Sequence, residues 1–155
     1  MTESLSPFTP RDPGFEARVR ASFARQRFME TLGVTCTRVA PGEVVLEFPY
    51  RDTLTQQHAF VHAGVVTAVV DSACGYAALS LMEPGAAVLS VEFKVNLLAP
   101  AAGEHFIATG RVVRAGRTLT VCSGELRARL AGGDVAVALM QATMMSIRDR
   151  EGMSD

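Results

Sequence analysis

Between Leu89 and Leu97 the chain alternates, with Leu89, Val91, Phe93, Val95 and Leu97 apolar and Ser90, Glu92, Lys94 and Asn96 polar. This period of two predicts a strand that offers one face to a core and the other to solvent. Pro100 ends it, and three more β-rich runs follow at His105–Arg114, Thr118–Leu130 and Val135–Ile147. Ala115-Gly116 and Gly132-Gly133 stand where hairpin turns belong. Two shorter β-rich runs, Val34–Val39 and Glu43–Phe48, lie upstream on either side of the turn-forming Ala40-Pro41-Gly42.

Between the two sets of strands, residues 63–82 are almost all apolar or small and predict a helix that is apolar nearly all round. Such a helix must be covered on most sides. Near the N-terminus Phe15, Val19, Phe23, Phe28, Met29 and Leu32 recur at roughly helical spacing. They predict an amphipathic helix over 13–32 that Gly33 stops, with Arg18, Arg20, Arg25 and Arg27 solvated. Residues 1–12 mix prolines with polar residues and are expected to form a flexible segment. The element order is helix, two strands, long apolar helix, four strands. It predicts an α+β domain over 13–150, in which a curved antiparallel sheet wraps the long helix.

The 155 residues are 48% hydrophobic and 20% charged, enough apolar material for a real core. A net charge of -1 gives no bulk attraction to nucleic acid or an anionic membrane, so a phosphate-bearing ligand must rely on a few local basic residues. Cys36, Cys74 and Cys122 are widely spaced and odd in number, which fits free thiols in a reducing cytoplasm rather than a disulfide scaffold. The opening residues lack the basic and apolar regions of a secretory leader. His58, His62 and His105 have no metal-ligand spacing, so neither zinc nor another cofactor is expected. His62, just before the long helix, is expected to satisfy local backbone groups. Glu92 and Lys94 are expected to be a solvated or interface charge pair.

Asp71 is the residue out of place. It lies in the middle of the apolar helical stretch, where an ionised carboxylate without partners costs several kcal/mol. Its presence in a membrane span would be costly as well, which argues for a helix inside a soluble protein. Asp71 is either paired structurally or it stands at a pocket wall with its reactivity set by burial. The helix begins eight residues earlier, at Ala63-Gly64, and its unpaired N–H groups are suited to a developing oxyanion. The polar stretch Thr55-Gln56-Gln57-His58 precedes it.

The pattern Q-x5-H-A-G-x6-D-S-A-C-G-Y-A-A, from Gln56 to Ala78, resembles the signature of PaaI-type hot-dog thioesterases. The strand from Leu89 to Pro100 and the hairpin from Arg111 to Leu126 are similar to the family's next elements, and the likeness spans roughly residues 30–147. The resemblance implies a hot-dog fold and hydrolysis of acyl-CoA. Asp71 falls on the catalytic carboxylate, acting as general base or nucleophile, and Gln56 on a positioning amide. Ala63 and Gly64 fall on the helix-start pair that polarises the thioester carbonyl, and Ser90 on a hydroxyl that assists water. Arg114, Gly116 and Arg117 fall in the turn that meets the CoA phosphates. It also implies a homodimer or a dimer of dimers, with each active site using both subunits. The chain departs from the family at Ala63, where H-G-G is usual. Two other readings are a hot-dog hydratase or dehydratase, which lacks its usual His here, and a non-catalytic acyl-CoA-binding protein.

Overall fold

The computed structural model describes residues 7–155. Helices α1 (Phe15–Ala24) and α2 (Arg27–Leu32) precede strands β1 (Thr35–Ala40) and β2 (Glu43–Pro49). Helix α3 (Ala63–Leu79) follows, then β3 (Ala87–Leu97), β4 (His105–Ala115), β5 (Leu119–Leu130) and β6 (Gly133–Ile147). The six strands make one antiparallel sheet in the order β1-β2-β4-β5-β6-β3. This is the hot-dog fold, with the sheet curved around α3. At 17 residues, α3 is too short to cross a membrane, and no helix among the described residues is long and apolar enough to do so.

Two strand glycines let the sheet close on the helix. Gly110 of β4 pairs with Gly124 of β5. A Cβ on Gly110 would stand 2.3 Å from the Ala73 backbone, and one on Gly124 would stand 2.5 Å from the Val70 side chain. A glycine inside a strand often marks such a close backbone approach. Around this contact Val66, Val69, Val70, Ala73, Cys74 and Ala77 of α3 form one core with Leu46, Phe48, Phe106, Leu126 and Met144 of the sheet. Phe48 and Phe106 stack with ring centroids 5.0 Å apart.

The helix expected over 13–32 is two helices. The chain leaves the helical conformation at Gln26 (φ -82°, ψ 91°), and α2 ends on left-handed Gly33 (φ 71°), the conformation that favours glycine. The arginines on this segment also differ from expectation in one case. Arg18 is not solvated: its side chain is 10% exposed and lies 3.2 Å from the Asp12 carboxylate. It donates to the carbonyls of Leu79 (3.1 Å), Met82 (2.8 Å) and Glu83 (2.5 Å), at and just beyond the end of α3. The N-terminal helix is thereby tied to the central one. Of the segment expected to be flexible, residues 1–6 lie outside the described residues, while Phe8 packs against Gly42 and the core.

The alternation in β3 is interrupted by a bulge. Ser90 pairs with Met144, but Glu92, not Val91, pairs with Thr143. Met144, Ala142, Met140 and Ala138 are the buried, helix-facing residues of β6, and their partners are Ser90, Phe93, Val95 and Leu97. The extra residue, Val91, thus moves Ser90 onto the same face as Phe93, whereas strict alternation places it on the opposite one. Glu92 accepts from the Thr143 hydroxyl at 2.5 Å, and no ion pair with Lys94 is present among the described residues.

Candidate active site

Asp71 stands midway along α3, half-buried, on the side of the helix that the sheet leaves open. The β3 bulge aims Ser90 at it, and Ser90 Oγ donates to Asp71 Oδ1 at 2.7 Å. Burial pushes the Asp71 carboxyl above the ordinary carboxylate range, and the Ser90 bond draws it part of the way back. A base held closer to neutral pH is more useful in proton transfer. The pair opens into a cleft of about 90 Å³ lined by Gln26, Asp71, Ser72, Gly75, Tyr76, Val88 and Ser90.

The start of α3 is built separately. His62 is its N-cap, in an extended conformation, and its Nδ1 accepts from the Gly64 N–H at 2.8 Å. The N–H groups of Val65 and Val66 go to the His62 carbonyl. Ala63 N–H is left without a partner among the described residues. A Cβ on Gly64 would stand 2.9 Å from His62 Nδ1, so glycine here accommodates the capping imidazole. Gln56 and Ala63 line a second cleft of about 420 Å³ with Phe60, Val66, Leu97 and Pro100. Gln56 sits in a tight loop where its Oε1 accepts from the His58 N–H and its carbonyl from the Ala59 N–H.

Asp71 and Ser90 therefore come together, and so do Gln56 and Ala63, but the two groups lie at different points along the helix. Eight residues at 1.5 Å rise separate the Ala63 amide from Asp71 by about 12 Å. Gly116 and Arg117 belong to the β4–β5 connection, whereas Arg114, expected in the same turn, lies in the last pairs of β4 opposite Val121. Leu119 pairs with Met145 and Met145 with Leu89, so this turn lies at the same end of the sheet as Ser90. A Cβ on Gly116 would stand 2.4 Å from the Leu119 carbonyl oxygen, which closes the turn tightly.

Cys74 and Cys122 are buried and burial pushes both thiols up, Cys122 to about 12, so neither is a nucleophile at neutral pH. No cluster of three His, Cys, Asp or Glu side chains that could hold a metal ion occurs among the described residues.

The model of the thioesterase superfamily matches residues 58–129. A thioesterase family protein from Silicibacter pomeroyi has a solved structure that is 54% identical, with a TM-score of 0.86, over 87% of this chain and 99% of that one. The chain belongs to the thioesterase superfamily. Human acyl-coenzyme A thioesterase 13 is 29% identical over 120 residues, which is 76% of this chain and 85% of the human protein. The PaaI protein of the Escherichia coli phenylacetic acid degradation operon shares the fold, with a TM-score of 0.77 and 21% identity over 90% of this chain and 95% of that one. This chain is thus a hot-dog thioesterase, an enzyme of the thioester hydrolase class.

Five residues of the Asp71 cleft are not among the site residues read from the sequence: Gln26, Ser72, Gly75, Tyr76 and Val88. Gly75 carried a signal, since it lies one helical turn beyond Asp71 and so on its face. Gln26 carried none, because its place depends on how α1 and α2 meet.

Proposed function

We propose that this enzyme hydrolyses acyl-CoA to a free acid and CoA, with Asp71 as the general base. The observation that carries this reading is the Asp71–Ser90 pair, a half-buried carboxylate held by a hydroxyl in an open cleft. Ser90 occupies one oxygen of Asp71, and the other is available to a water. Asp71 takes a proton as that water's oxygen bonds to the thioester carbon. The carbonyl oxygen becomes an oxyanion, the C–S bond then breaks, and the CoA thiolate leaves and is protonated. Ala63 is the oxyanion donor in this account, because its N–H is unpaired while that of Gly64 is taken by His62. Gln56, beside Ala63, positions the substrate.

The two halves of this machinery are about 12 Å apart in one chain, which no single carbonyl spans. A dimer solves this if Asp71 and Ser90 of one protomer face Ala63 and Gln56 of the other. Strand β3 supports that assembly, since it is an edge strand whose Leu89, Val91 and Phe93 are exposed. An exposed apolar edge is a liability that pairing with a second copy removes. The family's homologue named for acyl-coenzyme A supports CoA as the carrier, with Arg114, Gly116 and Arg117 near its phosphates. Such a substrate supports a cytoplasmic location.

Free-thiol release from a panel of acyl-CoAs, acetyl to palmitoyl with phenylacetyl and hydroxybenzoyl, tests the reading. Release with at least one member is expected. No release from any of them, or hydration of an enoyl-CoA without thiol release, overturns it.

A further inference from the structure

We propose that Gly75 and Gln26 shape the acyl chamber, and that the chamber takes a short acyl group bearing a hydrogen-bonding substituent, such as a hydroxyl or keto oxygen. This rests on the thioesterase reading above and adds a substrate class to it.

Gly75 lies four residues beyond Asp71 and therefore on the same helix face. The other residues from Ser72 to Ser80 are all buried. Glycine is among the poorest helix formers, and a Cβ at this position would meet nothing within 4 Å. Packing within the chain therefore gives no reason for glycine here. What its lack of a side chain provides is room in the cleft that holds Asp71 and Ser90. A substituent on a carbonyl carbon attacked beside Asp71 would extend into that room.

The far wall of the cleft is polar. Gln26 reaches it from the α1–α2 junction, and its Oε1 accepts from Ser72 Oγ at 3.4 Å. The two amide N–H groups of Gln26 have no partner among the described residues. A plain alkyl chain laid over them strips their water and offers nothing in return, whereas a hydroxyl or keto oxygen accepts from them. Tyr76 and Val88 supply the apolar part of the wall. The cleft of about 90 Å³ gives room for a substituent of a few heavy atoms beside Asp71.

The test measures kcat/KM for acetyl-, butyryl-, 3-hydroxybutyryl- and octanoyl-CoA with wild type, Gln26→Leu, Gly75→Ala and Gly75→Val, and the oligomeric state of each by light scattering. Wild type should prefer 3-hydroxybutyryl to butyryl at least 10-fold, and butyryl to octanoyl. Gln26→Leu, similar in size but without donors, should bring the first ratio close to one. Gly75→Val should lower the 3-hydroxybutyryl-to-acetyl ratio at least 10-fold, with Gly75→Ala changing it in the same direction if the valine variant does not fold. An unchanged hydroxyl preference in Gln26→Leu, or none in wild type, overturns the polar wall. Parallel losses on all esters, with dissociation of the Gly75 variants, overturn the chamber and make Gly75 a subunit-packing residue. No thiol from wild type on any ester overturns the hydrolase reading beneath.

Discussion

Ser90 Oγ donates to Asp71 Oδ1 across 2.7 Å, joining the bulge of an edge strand to the open face of the central helix. This bond opposes the effect of burial on the Asp71 carboxyl. Ser90→Ala should therefore raise the Asp71 pKa further and move the acidic limb of the kcat/KM profile to higher pH. A hydrogen bond to a charged group contributes about 1.5–3 kcal/mol, so activity below the limb should fall roughly 10- to 100-fold. A profile that superposes on wild type would detach Ser90 from the base.

The Arg18 guanidinium caps α3 through the carbonyls of Leu79, Met82 and Glu83 and pairs with Asp12, whose side chain is 15% exposed. Arg18→Met should leave the largely buried Asp12 carboxylate without its ion-pair partner, remove three donors from the helix end and cost about 3 kcal/mol. For a chain of this size that is a fall in Tm of roughly 10 °C. Arg18→Lys should recover only part of it, since one ammonium cannot reproduce the fork of donors. Calorimetry on the two variants checks both statements.

Much of this architecture is legible in the residues themselves. The apolar run of α3, the strands on either side and the misplaced carboxylate are all written in local pattern, because each depends on near neighbours in the chain. The bulge at Val91 is not legible, since its register depends on the partner strand β6, and so the facing of Ser90 is inverted relative to simple alternation. Arg18 reads as one more solvated arginine because its acceptors are more than sixty residues away. Gln26 joins the cleft only through the angle between two short helices, and nothing local in the sequence encodes that.

The edge strand β3 should join two copies of the chain. Light scattering at micromolar concentration is expected to give a dimer or a dimer of dimers. Val91→Lys, which puts a charge on an edge residue that is 49% exposed in the single chain, should shift the enzyme toward monomer and lower activity in parallel. A fully active monomer would contradict the two-subunit site.

Arg114→Ala with Arg117→Ala should raise KM for acyl-CoA much more than it lowers kcat, because phosphate contacts remote from the carbonyl bind ground and transition states alike. The effect should fade with a thioester that lacks the nucleotide. Equal losses on both substrates would show that these arginines hold the turn instead.

The most direct test of Asp71 as the base is Asp71→Asn, with kcat and Tm measured on one preparation. The substitution is nearly isosteric and the amide oxygen can still accept from Ser90, so the fold should survive. The folded-state pKa of Asp71 is raised above its unfolded value of about 3.9, so the folded chain holds this proton more tightly. The stability from that tighter hold is present below the unfolded pKa and is lost as pH rises through the folded one, where the buried carboxyl ionises. Asp71→Asn should therefore raise Tm at pH 7 relative to wild type, and the gain should vanish toward pH 3. Loss of a general base should lower kcat about 10²- to 10⁴-fold. A lowered Tm with kcat above about a tenth of wild type, short of the smallest loss expected for a general base, would contradict the account.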